Sequence, residues 1–324
     1  MKTQLLRLSA VVCAYLALAK YAAPAQAQFQ FIGIQSLTNR EIAFALSAPT
    51  GSVYRIDAGT DLVDWTPLVS VTGAVGSIQF TDSAATYLTR RFYRAEQLGA
   101  TNILLGDYLR TTNGDVIMRP LSHATFVMSW NGKMIYNDPA SGISYTGLPK
   151  ADLILLSHTH SDHFSTATIE DVRTTNTVII ASQAVYNSLT AAQKPLAVVL
   201  GYGQSTNVLG LNVQAVPAYN SYHTYGTGNG YVLTVADRRI YISGDTGDVP
   251  EIRALTNIDV AFVCMNQPYT MTLSQATNVV RAIRPKVVYP YHYRDQSGAT
   301  TNAAVFKQWL GTDLGIEVRL RKWY

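Results

Sequence analysis

The stretch Leu156-Ser-His-Thr-His-Ser-Asp-His-Phe164 constrains this chain more than any other, because it sets His158, His160, Asp162 and His163 directly behind the apolar run Leu153 to Leu156. An aliphatic run followed by polar residues reads as a buried strand ending in a loop, and loops at strand ends are where α/β proteins build sites. Alternate residues of an extended chain point the same way, so His158, His160 and Asp162 can converge while His163 turns toward a second position. That spacing predicts two adjacent divalent ions. Neutral imidazole and carboxylate suit zinc first, with manganese or iron also served.

His158 to His163 match, without a gap, the His-x-His-x-Asp-His signature of the metallo-β-lactamase superfamily, which this chain resembles from about Asp107 to Leu320. The resemblance implies a four-layer αβ/βα sandwich and metal-dependent hydrolysis. Periodicity alone gives only mixed α and β.

At 324 residues the chain has room for two domains. Its first stretch stands apart: Lys2 and Arg7, an apolar run from Leu8 to Ala19, then Ala25-Gln26-Ala27, the three parts of a secretory signal peptide over residues 1–27. The expected location is secreted or periplasmic. Loss of that segment removes three basic residues and no acid, leaving 22 basic against 21 acidic side chains, so bulk charge argues against a nucleic-acid partner. Cys264 would then be the one remaining cysteine, set in the apolar run Val260 to Cys264 and expected as a buried strand residue with no disulfide.

Residues 28–98 read as a small all-β sandwich: Glu41 to Leu46, Val53 to Ile56, Ser77 to Phe80 and Arg91 to Ala95 alternate in polarity between Gly, Asp, Asn and Pro turns. Tyr54 to Trp65 and Arg90 to Ala95 resemble short fibronectin-III-like modules of secreted bacterial proteins. Trp65, Phe80 and Tyr93 are expected in its core, and Arg90 and Arg91 on a solvated strand edge. Contact with a cell surface or polysaccharide through this module stays open at this point. Leu98 to Thr101 would join it to the hydrolase domain, residues 102–324.

In that domain Asn131-Gly132 between two apolar runs predicts a hairpin. Helices are expected from Ser165 to Val172, Gln183 to Gln193, Pro250 to Leu255, Leu273 to Ile283 and Asn302 to Leu310, alternating with strands. The tail Arg321 to Tyr324 reads as an ordinary end or an oligomer contact.

The remaining site assignments follow from the resemblance. Asp138 would orient the metal loop without binding metal. His123 precedes a strand as a histidine does in the family's Gly-His-Ala opening, with Ser122 in the glycine position; it either faces the site or packs at the strand end. Many relatives place a ligating histidine where this chain has Asn220. Its nearest histidine is His223, so either residue completes the first metal site. Asp245, between Gly244 and Gly247, would bridge the two ions, and His292 would bind the second with Asp162 and His163. The Ala218-Tyr-Asn220 pattern, Tyr269-Thr-Met-Thr272, Arg284-Pro-Lys286 and Tyr291-His-Tyr293 resemble a branch related to ascorbate-phosphate lactonases.

Two cations sharing Asp245 would lower the pKa of a water between them from ~15.7 toward ~7, giving a nucleophile for a carbonyl or phosphoryl centre. Asp162, Asp245 and His223 are the expected catalytic positions, and Tyr222, Tyr269 and Tyr293 are candidates to donate to a developing oxyanion. The expectation is a hydrolase of small-molecule esters, lactones or phosphodiesters. Its competitors are a β-lactam hydrolase and a surface-attached binding protein with a depleted metal site.

Overall fold

The computed structural model describes residues 29–63, 65–98, 104–295 and 297–324. The chain divides between Arg110 and Thr111 into two compact units. The expected signal peptide, and positions 99–101 of the expected linker, lie outside the described residues.

The first unit runs through β1 (Gln30–Ser36), β2 (Ile42–Ser47), β3 (Val53–Gly59), β4 (Thr66–Thr72), β5 (Ile78–Asp82), a 3-10 turn (Ser83–Tyr87), β6 (Phe92–Leu98) and β7 (Asp107–Leu109). One antiparallel sheet has the order β1-β2-β5, and β7, β4, β3 and β6 are neighbours in that order in another. Strict alternation along β2 sends Ile42, Phe44 and Leu46 inward, where they meet Ile56, Ala58, Leu68 and Tyr93 from the other strands. Phe80 packs partly buried against the same core.

Two expectations fail here. Trp65 lies outside that core and carries the Arg94 guanidinium over its ring at 4.7 Å. Arg91 is no solvated edge residue: its Nε bonds the buried Asp82 at 2.9 Å, beside the Tyr93 hydroxyl on the same carboxylate oxygen, so a charge inside a small module is balanced by a cation. The unit boundary also falls later than position 102, because Asp107 pairs with Val69 and ties β7 to the first unit.

The second unit repeats one plan twice. In its first half β8 (Val116–Ser122), β9 (Thr125–Trp130) and β10 (Lys133–Asn137) form an antiparallel meander. Its second turn, Asn131-Gly132, has φ of 48° and 73°, the left-handed pair that matches strand twist. The chain then continues in parallel through β11 (Leu153–Leu155), α1 (Thr166–Val172), β12 (Val178–Ala181), α2 (Gln183–Ser188) and β13 (Ala197–Val199). In its second half β14 (Ser205–Val208), β15 (Leu211–Ala218), β16 (Gly228–Val235) and β17 (Arg238–Ile242) are again antiparallel. They are followed in parallel by α3 (Pro250–Arg253), β18 (Val260–Cys264), α4 (Leu273–Ile283), β19 (Val287–Tyr291), α5 (Ala303–Leu310) and β20 (Glu317–Val318).

The central parallel strands β11, β18 and β19 are buried along their whole length, which is why they read as unbroken apolar runs. The two sheets face each other: Phe126 of β9 stacks on Phe262 of β18 with ring centroids 4.1 Å apart, and the Tyr231 hydroxyl of β16 donates to the Leu156 carbonyl at 2.7 Å. Cys264 is fully buried, as expected, and burial pushes its thiol up to about 11.

Helix α2 stops at Ser188, five residues before the expected end. Gln193 is buried, donates to the Thr166 carbonyl at 2.7 Å and holds the Thr190 turn with its other amide atom, so tertiary contacts override helical propensity there. The tail also differs from expectation. Trp323 is fully buried, and its carbonyl accepts the His123 N–H at 3.1 Å.

Candidate metal centre

All the residues singled out by the sequence sit just past strand ends of the second unit, apart from Tyr269, which lies in the turn after β18 and before α4. Asp138 follows β10, His158 to His163 follow β11, Asn220 and His223 follow β15, Asp245 follows β17 and His292 follows β19. His123 occupies the β8–β9 turn. Three of them, His123, Asp138 and His292, hold left-handed backbone with φ of 55°, 43° and 46°. Non-glycine residues rarely adopt that region, and it persists where surrounding contacts determine it.

Asp245 is the centre. Its Oδ2 lies 3.4 Å from His223 Nε2 and 3.8 Å from His158 Nε2, and its Oδ1 lies 3.4 Å from both His163 Nε2 and His292 Nε2. His160 Nδ1 is 3.0 Å from His158 Nε2, and Asp162 Oδ2 is 3.4 Å from His292 Nε2. Three overlapping groups among the described residues could hold a metal ion: His158, His160, His223 and Asp245 on one side, His163, Asp245 and His292 on the other, and His123, Asp162 and His292 adjoining the latter. Ligands about 2.0–2.1 Å from a tetrahedral cation stand roughly 3.3 Å apart, which is the scale of these separations.

The surrounding hydrogen bonds set which nitrogens face inward. The Ser157 hydroxyl donates to Asp138 Oδ2 at 2.7 Å and can only accept from His158 Nδ1 at 2.9 Å, leaving His158 Nε2 bare. His163 Nδ1 donates to Asp138 Oδ2 at 2.8 Å, which leaves Nε2 as the nitrogen facing the centre. His223 Nδ1 donates to Asn220 Oδ1 at 3.0 Å, and Asn220 cannot flip because its amide group donates to the Tyr269 carbonyl at 3.0 Å. His223 therefore enters the site, and Asn220 orients it.

His163 Nε2 and His292 Nε2 face each other 2.8 Å apart, and His292 Nδ1 is buried without a hydrogen-bond partner among the described residues. His223 Nε2 and Asp245 Oδ1 are buried without a hydrogen-bond partner among the described residues. Such orphaned atoms are what a divalent cation satisfies, so the residues present fit metal.

The electrostatics agree. Burial works against charge on Asp245, yet His292, His163, His158 and His223 together hold its carboxyl below the usual range. Burial, with help from neighbouring histidines, keeps His158 well below the ordinary 6.5. Burial opposes charge on His163, but Asp245, Asp138 and Asp162 overcome it and raise this imidazole to about 10, so without a cation its Nε2 keeps a proton that a bound metal ion would displace.

His123 faces the site and is oriented by a residue the sequence left unassigned. The Tyr324 hydroxyl accepts the N–H groups of Tyr293 and Arg294 at 3.0 and 3.1 Å, which directs its own proton to His123 Nδ1 at 2.8 Å. His123 Nε2 then carries the hydrogen and donates to Asp162 Oδ2 at 3.0 Å. Nothing in the sequence signals Tyr324; Ser157, by contrast, adjoins the motif.

The site opens into a cavity of about 890 Å³ lined by His123, His160, Asp162, Tyr222, Tyr269 and Arg294 among others. Tyr293 does not line it and packs edge-on against Tyr324 at 5.1 Å. Gly244 makes the presentation of Asp245 feasible: its φ is +58°, and a Cβ there would stand 2.8 Å from the Asn229 carbonyl oxygen.

A fold of two mixed sheets with histidines and aspartates gathered at their strand ends defines a candidate metal centre, and the comparisons give its class as a metal-dependent hydrolase. The Beta-lactamase superfamily domain matches residues 118–292, and the chain belongs to that family. A UPF0173 metal-dependent hydrolase of Thermococcus kodakarensis is 29% identical over 204 residues, covering 59% of this chain and 90% of the relative. A structure described as a metal-dependent hydrolase from Parabacteroides distasonis is 38% identical, with a TM-score of 0.59, covering 67% of this chain and 97% of that one. A metallo hydrolase of Ignicoccus hospitalis shares the fold, with a TM-score of 0.56 at 24% identity over 64% of this chain and 95% of that one.

Proposed function

We propose that this protein hydrolyses a small-molecule ester, lactone or phosphodiester at two divalent cations, zinc in the first instance and manganese or iron alternatively. The observation that carries the reading is Asp245, whose two carboxylate oxygens each face a separate set of imidazole nitrogens. His158, His160 and His223 would hold one ion, and Asp162, His163 and His292 the other. When bound, the ions supply Lewis acidity and acidify water enough for nucleophilic attack at neutral pH.

The chain's own residues do the rest. Asp138 and Ser157 fix the His158 and His163 rings, Asn220 fixes His223, and the His123 N–H holds the Asp162 carboxylate. Tyr222 and Tyr269, ring to ring at 5.3 Å on the cavity wall, are placed to donate to a substrate oxygen.

The lactonase-like branch is favoured by the local motifs around Asn220 and His292. A four-layer αβ/βα arrangement is consistent with the two facing mixed sheets. The strand pattern of residues 28–98 supports a fibronectin-III-like appended module, and the segment 1–27 supports a secreted or periplasmic location. The test is a panel of lactone, ester and phosphodiester substrates with zinc-, manganese- and iron-loaded protein. Turnover that disappears together with bound metal in His160→Ala is expected. Metal bound with no turnover on any substrate would favour a ligand-binding protein instead.

A further inference from the structure

Arg294 contributes the one Lys or Arg side chain among the described residues lining the cavity. Its guanidinium lies over the Tyr324 ring, 4.1 Å from the centroid. Among the described residues it has no carboxylate partner within 4.0 Å. The neighbouring Asp295, which also lines the cavity, is not paired with it: that side chain accepts from Ser297 N, Ser297 Oγ and Ala299 N within its own turn at 2.9, 2.7 and 2.9 Å.

Stacking occupies the guanidinium face and leaves the in-plane N–H donors at its edge free. That is the geometry which receives an oxyanion as a fork. The ring beneath it is fixed, because the Tyr324 hydroxyl bonds the backbone at Tyr293 and Arg294 and also His123. A preorganised cation loses little freedom on binding. The same hydroxyl leads through His123 to Asp162, so the arginine stands beyond the metal ligands and not among them. A cavity of about 890 Å³ has room for a substrate that spans both places.

We propose that the substrate carries a second, non-reacting oxyanion, a carboxylate or phosphate, which Arg294 binds while the scissile bond lies at the metal centre. The site then selects acidic esters or lactones over neutral ones of equal size. The selection is one of binding: the arginine meets a charge that is the same in ground and transition states, so it lowers KM more than it raises kcat.

The kinetic arm of the test rests on the hydrolysis proposed above; the binding arm does not. Three esters matched in length, ending in a methyl, a carboxylate or a phosphate group, are compared on metal-loaded wild type, Arg294→Gln and Arg294→Lys. Wild type is expected to prefer either acidic ester. Arg294→Gln should lower kcat/KM for it by about 10- to 100-fold, the worth of charged hydrogen bonds, chiefly through KM. The methyl ester should change by less than about twofold, and Arg294→Lys should fall between wild type and Arg294→Gln, because it keeps the charge and loses the fork. The larger of the two acidic preferences identifies the oxyanion. Equal losses on all three esters, or no acidic preference in wild type, would overturn the proposal.

Calorimetric titration of adipate into chelator-treated protein reads the arginine without turnover. Binding to wild type that is lost in Arg294→Gln supports the oxyanion subsite even where no ester is cleaved. Unchanged binding in Arg294→Gln, or none in wild type, contradicts it.

Discussion

At the scale of single residues the site is a set of imidazoles, three of which, His158, His163 and His223, have their outer nitrogens held by Ser157, Asp138 and Asn220. Asn220 is the simplest test. Asn220→Ala removes the acceptor of the His223 Nδ1 hydrogen, and metal affinity should drop about 10- to 100-fold, as for other partners of metal-bound histidines. Competition with a chelating dye measures it, and an unchanged affinity would remove Asn220 from the account. Tyr324→Phe keeps the ring that Arg294 covers and deletes the hydroxyl that sets the His123 tautomer. The His123 nitrogen shifts in an NMR spectrum of the metal-free protein should then lose the Nε2–H signature seen in wild type. Protonation gives a further expectation. His158 is held below 6.5 by burial, so it binds fewer protons folded than unfolded between its lowered value and 6.5. His123 and His223 are lowered in the same sense, whereas His163, raised to about 10, gains stability as pH falls toward 6.5 and little below it. The metal-free protein should therefore lose stability between pH 6.5 and 5.5, which denaturant melts at those two values would show.

At the scale of elements, strand ends decide everything. The burial of β11, β18 and β19 was legible as unbroken apolar runs, and the residues after them were legible as a site because histidine and aspartate have no packing reason to cluster there. Helix α4 was readable to the residue from its one-sided apolar pattern, and the structure closes it with a capping box of Thr272 and Gln275 at one end and a left-handed Arg284 at the other. Thr272→Ala should cost about 1 kcal/mol of stability, visible as a lowered denaturation midpoint, without touching metal content. Other features had no local signal. The early end of α2 depends on buried Gln193 reaching Thr166, and the choice of His223 depends on a loop that folds back on Asn220. Such long-range or loop-specific contacts are invisible to periodicity.

At the scale of the whole molecule, the two halves of the second unit each bring half of the centre. Asp138 and the His158 to His163 loop come from the first half, His223, Asp245 and His292 from the second. Cations bound between them bind the folded state alone, so saturating metal should stabilise the protein by about 4 kcal/mol for each ion at a thousandfold excess over Kd, roughly 10 °C in melting temperature per ion. Among the described residues none of the first unit belongs to the metal-holding groups, and its burial of Asp82 against Arg91 and Tyr93 is a matter of its own stability. The most direct measurement of the central claim is the metal-to-protein ratio after zinc loading and dialysis, in wild type and in Asp245→Asn. Two zinc ions per wild-type chain, with fewer in Asp245→Asn, are expected. One ion or none in wild type, or two in both proteins, would contradict a centre organised around Asp245.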